Sequence, residues 1–441
     1  LARRAKPNSS PSSIESDRKS DAIGVPVRRI SRRVRHFCAC IVVAAVAVAA
    51  EPGDRAIFEE IGKDLRELNQ ITGLKIHRQV PYDLISKNQV NEFLKDRIKR
   101  EADPEDLRIE ELSLKKFGFV PQDFDLAKTE VDLLTEQAAA FYDYQKKKLY
   151  ITDWAPKDMR EEALIHELAH ALADQNFHLE RFIRKGSDDD DLSMAREAVM
   201  EGQATWLMSE AVERREGQTL KGAPDAVELM SRAMDSGGKE YPVFDSSPLY
   251  LRRTLVFPYT QGLLFQNAVV EKLDQAAFAQ VFKHPPVSTQ QILHPEKYFA
   301  GVRPTRPTLP RLSAGKGYKQ LTAGTMGELD HALLIEQFLD AKRAGEMAPH
   351  WRGGAYALEE KKAEQRVVLE YAAEWETADW ARQYFEAYQE VLRKKWRTID
   401  VTTKSDSTFA GRGDDGYFVV RLEGAVVRSL EGLRDAALNS N

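Results

Sequence analysis

Residues 158–172 read DMREEALIHELAHAL, and the fold turns on whether this stretch is a helix. Leu164, Leu168 and Leu172 recur at four-residue spacing and form an apolar stripe, while Asp158 and Glu161 stand in capping-box register at its start. On that helix His166 and His170 lie one turn apart on one face and can aim two imidazole nitrogens at a single ion. Glu167 lies about 100° around from His166, placed to hold a water on the metal rather than the metal itself. The pattern His-Glu-x-x-His predicts a zinc site of hydrolytic type.

Two histidines leave a tetrahedral ion one protein ligand short, with a further position open for water. The second helical pattern, MAREAVMEGQATWLMSEA at 194–211, offers Glu197 and Glu201 one turn apart on one face. Either can be the ligand with the other in support; Glu201 is favoured, because Gly202 and Ala204 beside it permit a close approach to the first helix.

At this point the residues resemble known families. HELAHALAD is similar to the metal helix of thermolysin-type metallopeptidases, whose motif carries an Asp four residues after the second histidine, here Asp174. EGQATW resembles the segment of zinc aminopeptidases in which the glutamate before the glycine is the third ligand, implying Glu201. The thermolysin pattern would instead select Glu197. A wider ordered set resembles a group of secreted bacterial zincin-like proteins. It comprises Glu136-Gln137 with Phe141-Tyr142-Asp143, Leu149 to Ile151, His166 to Phe177, Glu201 to Thr205, and Ser288 to Tyr298. The resemblance implies a gluzincin-like α+β fold and a metallopeptidase activity, and names no substrate.

Composition sets the limits. The chain has 441 residues, 42% hydrophobic and 30% charged, enough for a large core and more than one domain. Residues 1–50 read as a leader: Arg28, Arg29, Arg32, Arg33 and Arg35 precede a short apolar run, Phe37 to Ala50, that ends in small residues, as in a secretory signal peptide. About 14 apolar residues fall short of the roughly 20 that a membrane span needs, so stable insertion after cleavage is not expected. Cys38 and Cys40, the only cysteines, both lie in this leader, which leaves the remainder without a disulfide. The first 50 residues hold ten Lys/Arg and three Asp/Glu, so the rest carries 54 basic and 66 acidic side chains. An acidic chain with no basic, aromatic-rich stripe is a poor nucleic-acid binder.

Residues 51–315 are expected to form a mostly helical zincin-like domain with a small sheet. Ala56 to Gln70, Gln89 to Lys99 and Leu134 to Ala140 read as helices, Arg78 to Pro81 as an extended link, and the FYD and LYI segments as a hairpin that can pair with extended substrate. Asp188 to Asp191 lack the spacing of a calcium loop and read as a solvated acidic loop. Phe257 to Gly262 lead into an apolar helix, Leu263 to Val270. The six-proline stretch 285–310 suits a cleft wall, from which His294 or Tyr298, or else Tyr259, can supply an oxyanion donor.

Residues 316–441 are expected to form a smaller α+β domain. Met326 to Ala344 and Ala378 to Trp396 read as helices, Ala355 to Leu358 and Glu364 to Tyr371 as strands, and 417–428 as a hairpin after a turn at 411–416. His331 and His350 read as structural or solvated.

The resulting expectation is an exported, periplasmic or extracellular Zn2+ peptidase acting on peptides or proteins, with His166, His170 and Glu201 as ligands and Glu167 as general base. A non-catalytic envelope scaffold with a structural zinc is the alternative from another class, and a hydrolase of non-peptide amides shares the same ligands. Sequence alone leaves the oligomeric state open.

Overall fold

The computed structural model describes residues 54–93, 103–137, 140–152, 157–186, 189–235, 241–312 and 317–435. The leader with its cysteines, and the domain boundary near 315, lie outside the described residues. Among those described, no helix is long and apolar enough to cross a membrane.

The chain is α+β, mainly helical, with two sheets. The helices that build the site are α1 (Asp54–Thr72), α2 (Lys157–Phe177), α3 (Asp190–Arg215) and α4 (Leu249–Leu273). The small sheet runs β1-β3-β2, from β1 (Tyr82–Ile85), β2 (Ala140–Asp143) and β3 (Lys148–Thr152). The FYD and LYI segments do form the expected antiparallel hairpin, with Phe141 opposite Tyr150, and β1 joins β3 in parallel. β2 is therefore an edge strand, and α2 packs against it.

α2 departs from the expected two-faced helix. Leu164, Leu168 and Leu172 are buried, but so are His166, Glu167, His170 and Asp174 on the other side. A helix buried all round must satisfy its polar groups internally, which foreshadows the polar cluster below.

α4 runs through Phe257-Pro258-Tyr259, where the sequence suggested a lead-in to a shorter helix. Proline inside a helix removes a hydrogen bond and costs about 3 kcal/mol in isolation. Here Phe257, Pro258 and Tyr259 are all buried, and packing overrides the local preference. The helix expected over 326–344 is in fact two, α5 (Glu328–Phe338) and a short one at Ala341–Met347, because the Asp340 side chain accepts from the Arg343 backbone N–H and starts a new helix.

The C-terminal sheet is the larger of the two, with seven antiparallel strands in the order β4-β5-β6-β10-β9-β8-β7. They are β4 (Lys319–Gly324), β5 (Trp351–Lys361), β6 (Arg366–Trp375), β7 (Ile399–Lys404), β8 (Thr408–Gly413), β9 (Gly416–Glu423) and β10 (Val426–Leu433). α6 (Ala378–Lys395) packs on one face through Tyr384, Tyr388 and Leu392. The proline-rich stretch lies against this sheet: Thr305 bridges to Gly353 and bonds Glu374, and Arg428 donates to the Thr308 carbonyl.

Of the acidic run, Asp188 lies outside the described residues, and Asp189 to Asp191 are not a solvated loop. Asp189 caps α3 and accepts from the Thr325 hydroxyl, Asp190 accepts from the Tyr356 hydroxyl at 2.7 Å, and Asp191 is buried and accepts from the Thr289 backbone at 2.9 Å. Asp190 thus ties the start of α3 to β5, Asp189 ties it to Thr325 just beyond β4, and Asp191 ties it to Thr289, with burial pushing the Asp191 carboxyl well above the usual range.

Candidate metal centre

Three buried side chains from two helices converge. His166 and His170 on α2 are 2% and 3% exposed, and Glu201 on α3 is 4% exposed. The two Nε2 atoms lie 3.0 Å apart, and Glu201 Oε2 lies 3.1 Å from the first and 3.3 Å from the second. Ligands about 2 Å from one ion at tetrahedral angles are separated by roughly 3.3 Å. The donor set and its spacing therefore fit one metal ion. Among the described residues this is the one group of three or more metal-ligating side chains so arranged.

The electrostatics follow from burial and mutual contact. Burial opposes charge on both rings; at His166 it prevails and the ring titrates below its ordinary range, whereas at His170 the Glu201 carboxylate outweighs it and the ring titrates above. Burial alone would raise Glu201, but His170 and His166 hold its carboxyl well below the usual range. A deprotonated carboxylate and a neutral imidazole are the forms that ligate a metal.

Glu197, the other candidate, is only half-buried and lies outside the group. Gly202 does allow a close approach, but to a different helix. It faces Gly262 on α4, where a Cβ would stand 2.1 Å from the Gly262 carbonyl carbon, and a Cβ on Gly262 would stand 2.3 Å from the Ala198 carbonyl oxygen. Adjacent helix residues point about 100° apart, so when Glu201 faces α2, Gly202 faces elsewhere. The crossing brings Tyr259, one turn before Gly262, beside His166 with ring centroids 6.1 Å apart and planes 26° apart.

Glu167 is fully buried, and its Oε2 accepts the Tyr142 backbone N–H at 2.6 Å, across from the edge of β2. The Tyr142 hydroxyl donates to Asp174 at 2.9 Å. Asp174 also accepts from Lys147 Nζ at 2.9 Å and the Leu179 N–H at 3.0 Å. Its described partners are thus Tyr142, Lys147, Leu179 and Arg78, with no bond to either ligand histidine. Tyr142 belongs to the FYD segment that sequence singled out, but its bridging between Glu167 and Asp174 becomes visible only in three dimensions.

His294 and Tyr298 are not brought to the cluster by any described contact. His294 Nε2 is 2.7 Å from Glu328 at the start of α5, and the Tyr298 hydroxyl donates to the His284 carbonyl at 2.7 Å. His331 is buried in the C-terminal half, and His350 stacks on Trp380 with centroids 3.9 Å apart.

No family model, curated protein or solved structure matches this chain.

Proposed function

We propose that the protein is a zinc-dependent peptidase. The observation that carries this reading is the convergence of His166, His170 and Glu201 in one buried group, with Glu167 adjacent on the same helix and locked by the edge strand. His166, His170 and Glu201 would hold the zinc, which when bound would supply Lewis acidity and lower the pKa of a water towards neutrality. Glu167 would serve as the general base beside them, taking up a proton from the attacking water and passing it to the leaving amine. The Tyr142 N–H fixes the Glu167 carboxylate, so little reorganisation accompanies the proton transfer. Tyr259, stacked beside His166, lines the same site. Catalysis is favoured over a structural metal because a structural site has no use for a buried, positioned carboxylate beside its ligands.

The leader at 1–50 adds that the enzyme is exported, acting in the periplasm or outside the cell on peptides or proteins. The reading is tested with Glu167→Gln. Metal content measured by mass spectrometry stays at the wild-type level, while turnover of a peptide library falls by about a hundredfold to ten-thousandfold, as expected for loss of a general base. An active Glu167→Gln protein removes the mechanism.

A further inference from the structure

Two cations stand at the far end of the face that carries Glu167, and together they outnumber the one carboxylate they share. Asp174 has a side chain 0% exposed, whereas its partners Lys147 and Arg78 are 30% and 51% exposed. Lys147 Nζ lies 2.9 Å from Asp174 Oδ1, and Arg78 Nη2 lies 3.9 Å from Oδ2. Arg78 also reaches the Tyr142 hydroxyl, which donates to the same Asp174. One anion against two cations leaves the trio net positive, with the anion at the bottom and the cations toward solvent.

Both cations are held in place. The segment carrying Arg78 is pinned along the end of α2: Gln175 accepts the backbone N–H groups of His77 and Arg78 at 2.7 and 3.1 Å and donates to the Arg78 carbonyl at 3.1 Å. Asn176 donates to the Lys75 carbonyl at 3.0 Å. Lys147 closes the β2–β3 turn with φ 56°, in the left-handed region where glycine is the low-strain residue. The turn tolerates a side chain there, and that side chain is the one on Asp174.

Tyr142 links this end to the catalytic one, since its N–H meets Glu167 and its hydroxyl meets Asp174. Glu167 and Asp174 are seven residues apart on one helix, about 10 Å along its axis. An extended peptide advances about 3.3 Å per residue, so about three residues cover that span.

We propose that Arg78 and Lys147 form a carboxylate-recognition subsite, which makes the preferred substrate a peptide bearing a carboxylate about three residues from the scissile bond. The carboxylate has two sources, a free C-terminus or an Asp or Glu side chain. The subsite rests on the peptidase reading for its meaning as a specificity element, and not for its existence as a binding site.

The test measures binding, separately from turnover. The Glu167→Gln protein is immobilised and exposed to N-acetylated randomised hexapeptides, one pool as free acids and one as C-terminal amides, with retained peptides read by mass spectrometry. Charge-assisted bonds from two cations should favour the carboxylate about tenfold. A C-terminal source shows as retention of acids over amides; a side-chain source shows as enrichment of Asp and Glu at one position of the amide pool. In Arg78→Gln and in Lys147→Gln backgrounds the ratio falls toward one. Equal retention of both pools with no acidic position enriched overturns the proposal, as does a preference that survives both substitutions together. Wild-type protein run on the same pools separates the two readings. A carboxylate preference without any cleavage removes the peptidase and keeps the subsite, and cleavage indifferent to carboxylates does the reverse.

Discussion

His331 and the His166–His170 pair are buried to a similar depth, 0% against 2% and 3% exposed, yet their surroundings are opposite in kind. His331 lies 2.7 Å from the Gly327 carbonyl through Nδ1, which must donate because a carbonyl only accepts. Its Nε2 then accepts from the Tyr371 hydroxyl at 2.6 Å, and the Tyr384 hydroxyl stands 2.6 Å from Tyr371 in turn. Each group donates a hydrogen bond to the next. At the candidate metal centre two ring nitrogens and one carboxylate oxygen crowd within 3.3 Å of one another, and all three can donate a lone pair to one shared cation. A buried polar network complete in itself holds structure; one whose members all point inward at a common centre implies something to hold.

Changes among the converging His166, His170 and Glu201 should cost the most. On the proposed peptidase reading, Glu201→Ala removes one of the three converging side chains, and the loss of several kcal/mol of Lewis-acid stabilisation should lower kcat/KM by about a thousandfold or more. Bound metal, counted by mass spectrometry, falls with it, while Glu197→Ala retains both. The reverse pattern would transfer the ligand role to Glu197.

The next test sharpens the other side. Burial lowers His331 from its ordinary 6.5 to about 4, against an opposing bond to the Gly327 carbonyl. The folded chain therefore binds fewer protons than the unfolded one between those values, so its contribution is fully present above pH 6.5 and is lost as pH falls to about 4. The loss is of order 3 kcal/mol. Denaturant unfolding of wild type and His331→Asn at pH 7 and pH 4.5 reads it directly: the gap between the two proteins narrows at the lower pH. A gap independent of pH would mean that His331 does not remain neutral in the fold.

A smaller effect is expected where the helices cross. Gly202→Ala places a methyl against the α4 backbone, and overpacking of this kind costs about 1–3 kcal/mol. Ala204→Gly, two residues along the same helix, costs about 1 kcal/mol through helix propensity and up to about 0.8 kcal/mol more through loss of its buried methyl. Thermal melts rank the two, and the metal content of Gly202→Ala shows whether the crossing also sets ligand geometry.

What sequence revealed and what it hid follow from the range of the forces involved. The ligands His166 and His170 are set by a helical repeat of four residues, and such local geometry can be read directly. Glu201 over Glu197 depended on which face of α3 meets α2, a tertiary matter, and the neighbouring glycine pointed to the ligand although its own contact is with α4. β8 escaped because glycines interrupt the alternation that marks a strand. A Cβ on Gly411 would stand 2.0 Å from the Asp400 carbonyl oxygen, and one on Gly413 would stand 2.3 Å from the Trp396 ring. The glycines serve close backbone and ring approach, which composition reads as a turn. Pro258 misled in the same way, since its local cost is offset by burial that no window of sequence displays. His294 and Tyr298 were chosen for chemical type and chain order; the structure gives them partners of their own.

The glycine pair at 202 and 262 also bears on how this molecule can change over generations. Most positions have neighbours in sequence space, side chains slightly larger or smaller through which a protein can drift. Glycine has none on one side, and every replacement at either position adds at least one carbon where the backbones already touch. The separation of α3, which carries Glu201, from α4, which carries Tyr259, is therefore inherited as a fixed length. Arg78 and Lys147, 51% and 30% exposed, carry no such restriction, and related chains are free to diverge there without moving a helix.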